Sequence, residues 1–142
     1  MLWVGRTISN RAAAAKMLAD RNAQHTEFAA VEQSKAEIMK NADVSEIRLH
    51  LMKGTFSSVD LVNYFGNRCQ TVGRDLCLST QELFKSGLVL AKKCDEERAE
   101  SIKNGTQDQL PFLHGIPISI KELFSMKGML STVGTAMLNK PR

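Results

Sequence analysis

Gly115-Ile116-Pro117-Ile118-Ser119-Ile120-Lys121 carries three β-branched isoleucines at alternate positions. That is the period-two pattern of a strand with one buried face. Ile116, Ile118 and Ile120 then share one side, with Ser119 and Lys121 on the other. Pro117 has no N–H to give to a ladder, so the strand is expected at a sheet edge, or regular only beyond the proline. Upstream of Leu110 the chain reads as helix throughout. One strand near 116–121 behind a series of helices predicts an α/β class that is mainly helical over this length.

Working back from the strand, Gly105 is placed to end a helix that covers the preceding 20 or so residues. Ser79 and Glu82 have the spacing of a capping box that would start it. Phe84, Leu88 and Ala91 line one face, widened by Leu83, Leu90 and Cys94, while Lys92, Lys93, Glu96, Glu97 and Arg98 carry charge. Ser57 and Asp60 open an earlier helix with Leu61, Val62, Phe65, Cys69 and Val72 facing a core. Asp43 caps a helix over 44–52, and Gly54 follows its end, where a left-handed residue is wanted. From about Ser9 to Lys40 there is no Pro or Gly and Ala is abundant, which predicts one long helix with a thin alanine stripe.

The 142 residues form one domain or a piece of one, with a composition close to globular averages. The longest apolar runs are four residues, far short of a bilayer span. The net charge of +4 is interleaved rather than clustered, and aromatics are few, so nucleic acid is not an expected partner. Residues 1–8 lack the apolar run of a secretory signal, so the expected location is the cytoplasm or a membrane periphery rather than the outside of the cell. Cys69, Cys77 and Cys94 contain no CxxC pair, and His25, His50 and His114 have no ligand spacing, so neither metal nor cofactor is expected.

Lys121 is the residue with chemical promise: a lysine at the end of an apolar strand, two residues after a serine. A lysine acts as a base near neutral pH only where burial or a nearby cation lowers its pKa by roughly three units. The competing reading is a lysine that returns the chain to solvent and pairs with Glu122 or another carboxylate.

The run Pro111-Phe112-Leu113-His114-Gly115-Ile116-Pro117-Ile118-Ser119-Ile120-Lys121-Glu122-Leu123-Phe124, followed by Lys127-Gly128 and Ser131-Thr132-Val133-Gly134-Thr135, resembles the lysine-bearing segment of the amidase signature family. It looks most like the fatty acid amide hydrolase branch. Leu51 to Arg68 is similar to the helical pair with which such domains begin. The resemblance implies a helical extension over 1–42 and the truncated N-terminal part of an amidase domain over 43–142. It implies that Lys121 is the base of a Ser-Ser-Lys triad acting on an amide substrate of lipophilic kind. In the family both serines and the oxyanion-binding glycines follow the matched region, so the 142-residue chain is expected not to hydrolyse amides alone. Ser119, Ser125 and Ser131 do not match the triad positions. The alternative reading is a non-catalytic helical interaction module derived from such an enzyme. Peripheral membrane contact through the first helix, by Arg6, Arg11, Lys16 and Arg21, and homo-oligomer formation are further partner readings.

Overall fold

The computed structural model describes residues 2–121 and 123–127, with side chains from Arg11 onward. Among these residues are five α-helices: α1 (Leu2–Ala23), α2 (Gln33–Asn41), α3 (Val44–Lys53), α4 (Ser58–Arg68) and α5 (Phe84–Lys103). A five-residue π-turn, Cys69–Gly73, extends α4, and a 3-10 turn, Gln107–Gln109, follows α5. The chain divides into two compact units. One holds α1, residues 79–82 and the described residues from Ile118 onward; the other holds Thr26–Leu78 and Leu83–Pro117.

Local chemistry sets the starts of α3 and α4. The Asp43 carboxylate accepts the Glu46 N–H at 2.9 Å, and the Glu46 carboxylate accepts the Asp43 N–H at 2.9 Å. Ser57 and Asp60 repeat this reciprocal box at 3.0 Å in each direction. Each box satisfies amide groups that no helical carbonyl can reach. Gly54, at φ +70°, turns the chain out of α3 and gives its N–H to the carbonyls of His50 and Leu51.

The core of the second unit is Met39, Ile47, Leu51, Phe56 and Leu61, with Val31, Ile38, Ala42, Tyr64, Phe65 and Ile116 packed against it. Burying side chains of this size stabilises by about 1.5–3 kcal/mol each. α4 and α5 form the principal helix pair. Ala91 is buried and Phe84 and Leu88 are half-buried, as the sequence pattern requires, whereas Leu83 and Leu90 are exposed.

Three expectations are corrected. The single helix over 9–40 is two helices with a break at 24–32. The Gln70 amide binds Thr26 on both sides, accepting its N–H at 2.9 Å and donating to its carbonyl at 3.1 Å. Asn63 Oδ1 takes the Ala29 N–H at 3.3 Å, and Phe28 sets its ring edge-on to Phe84 at 5.3 Å. These long-range contacts outweigh helix propensity, which is worth only tenths of a kcal/mol per residue. Second, α5 starts at Phe84; Ser79 and Glu82 do meet at 2.9 Å, but side chain to side chain. Third, residues 116–121 form no strand, and there is no strand among the described residues; the mainly helical character expected of this length is found, and the strand that carried the α/β expectation is not. A strand needs a neighbouring backbone to pair with, and Pro117 lacks a donor. Ile116 still packs on the core, while Ile118 and Ile120 are exposed.

Among the described residues no helix is long and apolar enough to cross a membrane. Glu122 and the Gly128 to Thr135 part of the motif lie outside the described residues.

Candidate functional site

The turn that leads into the lysine-bearing segment is built on the α4–α5 pair. Asp95, on α5, points its carboxylate at the start of α4, where Oδ1 accepts the Ser58 N–H at 2.8 Å and Oδ2 the Val59 N–H at 3.2 Å. A carboxylate is favoured there by the positive end of the helix dipole. Arg98, one turn along, donates to Asp95 Oδ1 at 2.6 Å and to Ser58 Oγ at 2.6 Å, and reaches the His114 carbonyl at 3.5 Å. Arg98 is 6% exposed and Ser58 is fully buried. An arginine this deep requires a partner for its charge, and Asp95 supplies it.

A second arginine holds the same turn. Arg48, on α3, donates to the carbonyls of Pro111 at 2.9 Å and Phe112 at 3.1 Å, and its guanidinium lies 5.4 Å from the centre of the Phe112 ring. The turn closes on itself through His114 N–H to Pro111 carbonyl and Ile116 N–H to Leu113 carbonyl, both 3.0 Å. Gly115 sits at its apex with φ +78°. A Cβ there would collide with Ser58 Oγ and Arg98 Nη2, and would lie 3.2 Å from Ser58 Cβ. Gly115 is thus required twice, by backbone conformation and by space.

Electrostatics follow from this packing. Burial acts to raise the Asp95 carboxyl, but the Ser58 N–H, Arg98 and the Val59 N–H overcome it and hold the group below its ordinary value. His114 is pushed below the usual imidazole range by burial and then by the Arg98 charge, with Glu97 pulling the other way, so it is neutral at pH 7. Burial, and then the nearby Glu97 charge, push the Cys94 thiol up.

Lys121 lies six residues beyond Gly115 and is exposed; its carbonyl accepts the Phe124 N–H at 3.0 Å. Ser119 and Ser125 are exposed as well. Ser58 is no nucleophile, because it is sealed from solvent and its oxygen takes a hydrogen bond from a guanidinium. Sequence reasoning missed Arg48, Asp95 and Arg98. The Asp-to-Arg spacing of three on α5 was a legible signal for an ion pair, but nothing local showed where the pair would point.

A family model described as Amidase matches residues 60–142, more than half of the chain and the whole lysine-bearing motif. The chain belongs to the amidase family. This amidase segment is 31% identical over 100 residues to a glutamyl-tRNA(Gln) amidotransferase subunit from Moraxella catarrhalis, covering 70% of the chain and 19% of that relative. It is 28% identical over 101 residues to the protein of the same name from Thioalkalivibrio sulfidiphilus (strain HL-EbGR7), covering 71% of the chain and 19% of that relative. The segment therefore spans about one fifth of the length of these relatives. Neither carries a fatty-amide name, so the expected fatty acid amide hydrolase branch finds no support in them. No solved structure matches the chain.

Proposed function

We propose that the amidase segment supplies Lys121 as the general base for cleavage of a carboxamide by a Ser-Ser-Lys triad. The two serines are those that the family carries after the matched region. The observation that carries this reading is the family match across the complete Gly115 to Lys121 motif. In the reaction a neutral lysine takes a proton from the bridging serine, which takes one from the nucleophilic serine as its oxygen attacks the amide carbon. The acyl group passes to the nucleophile, the amine leaves with a proton, and water releases the acid.

Lys121 is exposed in this segment, whereas a lysine base needs enclosure to stay uncharged. That enclosure has to come from the remainder of an amidase, so the 142-residue chain by itself hydrolyses no amide and takes no fluorophosphonate label on serine. The positive test is a chimera in which residues 58–127 replace the aligned segment of an active family amidase. Ammonia release from a primary amide is expected from the chimera and is expected to fall by at least a hundredfold with Lys121→Met. A folded, active chimera that tolerates Lys121→Met overturns the proposal. Comparing a short amide with a fatty acyl amide in the same assay tests the lipophilic substrate expectation.

A further inference from the structure

The α5 face beside the clamped turn holds three side chains that the amide chemistry does not use. Cys94 and Glu97 are three residues apart on the helix, and so lie on one face. His114 comes to them from the turn, 20 residues away in sequence. The Cys94 Sγ, a Glu97 carboxylate oxygen and a His114 ring nitrogen all lie within 4.8 Å of one another. We propose that Cys94 Sγ, the Glu97 carboxylate and His114 Nε2 bind one divalent transition-metal ion, zinc foremost, as a staple between α5 and the turn at residues 111–116.

The donor set selects the metal. A thiolate and an imidazole suit zinc, whereas magnesium and calcium take oxygen. Tetrahedral zinc with bonds of about 2.0–2.3 Å sets its donor atoms about 3.4–3.7 Å apart. His114 Nε2 and Glu97 Oε2 are already 3.6 Å apart. The remaining closure asks for side-chain shifts of about 1 Å, on the scale of the difference between 4.8 Å and that tetrahedral spacing. Glu97 is 45% exposed and can turn to make them, at the expense of its 3.5 Å contact with Lys93, itself 69% exposed.

Two protonation changes accompany binding. The Cys94 carbonyl, 3.3 Å from His114 Nε2, can only accept, so in the metal-free protein Nε2 carries the ring hydrogen; binding gives up that bond and moves the hydrogen to Nδ1, which frees the Nε2 lone pair for the metal. The Cys94 thiol loses its proton to solvent as the sulfur–metal bond forms, with no change of oxidation state. One thiolate and one carboxylate then balance the dication, and water takes the fourth position. The neutrality of His114 suits it to the task, while the raised Cys94 pKa means that the metal has to drive the thiol's ionisation.

The test uses the full, reduced chain with cobalt(II) as a visible probe. One equivalent of cobalt is expected to give a thiolate-to-metal charge-transfer band, to be displaced by zinc, and to shield Cys94 from iodoacetamide in peptide mapping. The band should survive Cys69→Ser with Cys77→Ser, disappear in Cys94→Ser and in His114→Gln, and weaken at least tenfold in apparent affinity in Glu97→Gln. Circular dichroism checks that each variant keeps its helices. Alkylation shielding in the unsubstituted chain needs no variant at all. Absence of the band in the folded wild-type chain, its survival in Cys94→Ser, or shielding of Cys77 in place of Cys94 overturns the proposal. These readouts involve no amide hydrolysis, so their failure leaves the Lys121 proposal untouched.

Discussion

Replacing Gly115 by alanine separates two costs that a single glycine conceals. Gly54, Gly105 and Gly115 all have positive φ, at +70°, +68° and +78°. An added Cβ meets nothing within 4 Å at Gly54 or Gly105, so alanine there costs only left-handed strain, about 1–2 kcal/mol. At Gly115 the same strain applies, and the Cβ also collides with Ser58 Oγ and Arg98 Nη2. Neither neighbour has room to yield without loss, because Ser58 is fully buried and Arg98 is 6% exposed. Either the turn lifts or the 2.6 Å bond from Arg98 to Ser58 opens. A hydrogen bond to a charged group contributes about 1.5–3 kcal/mol, so Gly115→Ala is expected to cost about 2.5–5 kcal/mol in all. That is a large fraction of the about 5–15 kcal/mol by which a domain is stable. Urea unfolding of the three alanine variants, followed by circular dichroism with a common slope, measures the difference directly. A Gly115→Ala loss within about 0.5 kcal/mol of the Gly54→Ala and Gly105→Ala losses, a margin set by independent-site additivity, would falsify the idea that the glycine serves the buried arginine.

Other perturbations address the same scaffold. Asp95 has a lowered pKa in the folded state, so the unfolded chain takes up the proton first; the stabilisation is present above the ordinary value of 3.8 and fades as pH falls through the lower folded value. Asp95→Asn should therefore destabilise at neutral pH and flatten the acid limb of a stability–pH curve, and parallel curves for the two proteins would contradict the assignment. Gln70→Ala strips both partners from the Thr26 backbone and should cost about 2–3 kcal/mol, with faster amide exchange at Thr26 as the local sign. Ser57→Ala and Asp43→Ala each remove one side of a capping box and should lower stability by about 1 kcal/mol in urea unfolding, additively because they start different helices.

The parts of the fold that were legible are those decided within a few residues. Asp43 with Glu46, Ser57 with Asp60, and the glycines at 54 and 105 mark helix ends by chemistry that needs no tertiary partner. The break at 24–32 was hidden because its cause, the Gln70 amide on the Thr26 backbone, spans 44 residues. The isoleucine alternation misled for a related reason: strand periodicity reports a buried face, but a strand also needs a paired edge, and residues 116–121 have none among the described residues. The lysine stood out by its motif, whereas the clamp on the turn before it did not, since Arg98 read as one more charge on its helix and Arg48 carried no signal until α3 and α5 are placed.

That clamp gives the motif a physical division of labour. Arg48 and Arg98 hold backbone carbonyls at 111, 112 and 114, so the turn is held by its main chain, with the Phe112 ring and Ile116 adding side-chain contacts. Gly115 sets a limit of another kind, because the turn approaches Ser58 and Arg98 too closely for any Cβ. Pro117 then limits the backbone just past the clamp, where fixing φ removes freedom from the chain that leads to Lys121. Within residues 111–117 the lowest tolerance therefore falls on Gly115, where backbone conformation and space both exclude a side chain.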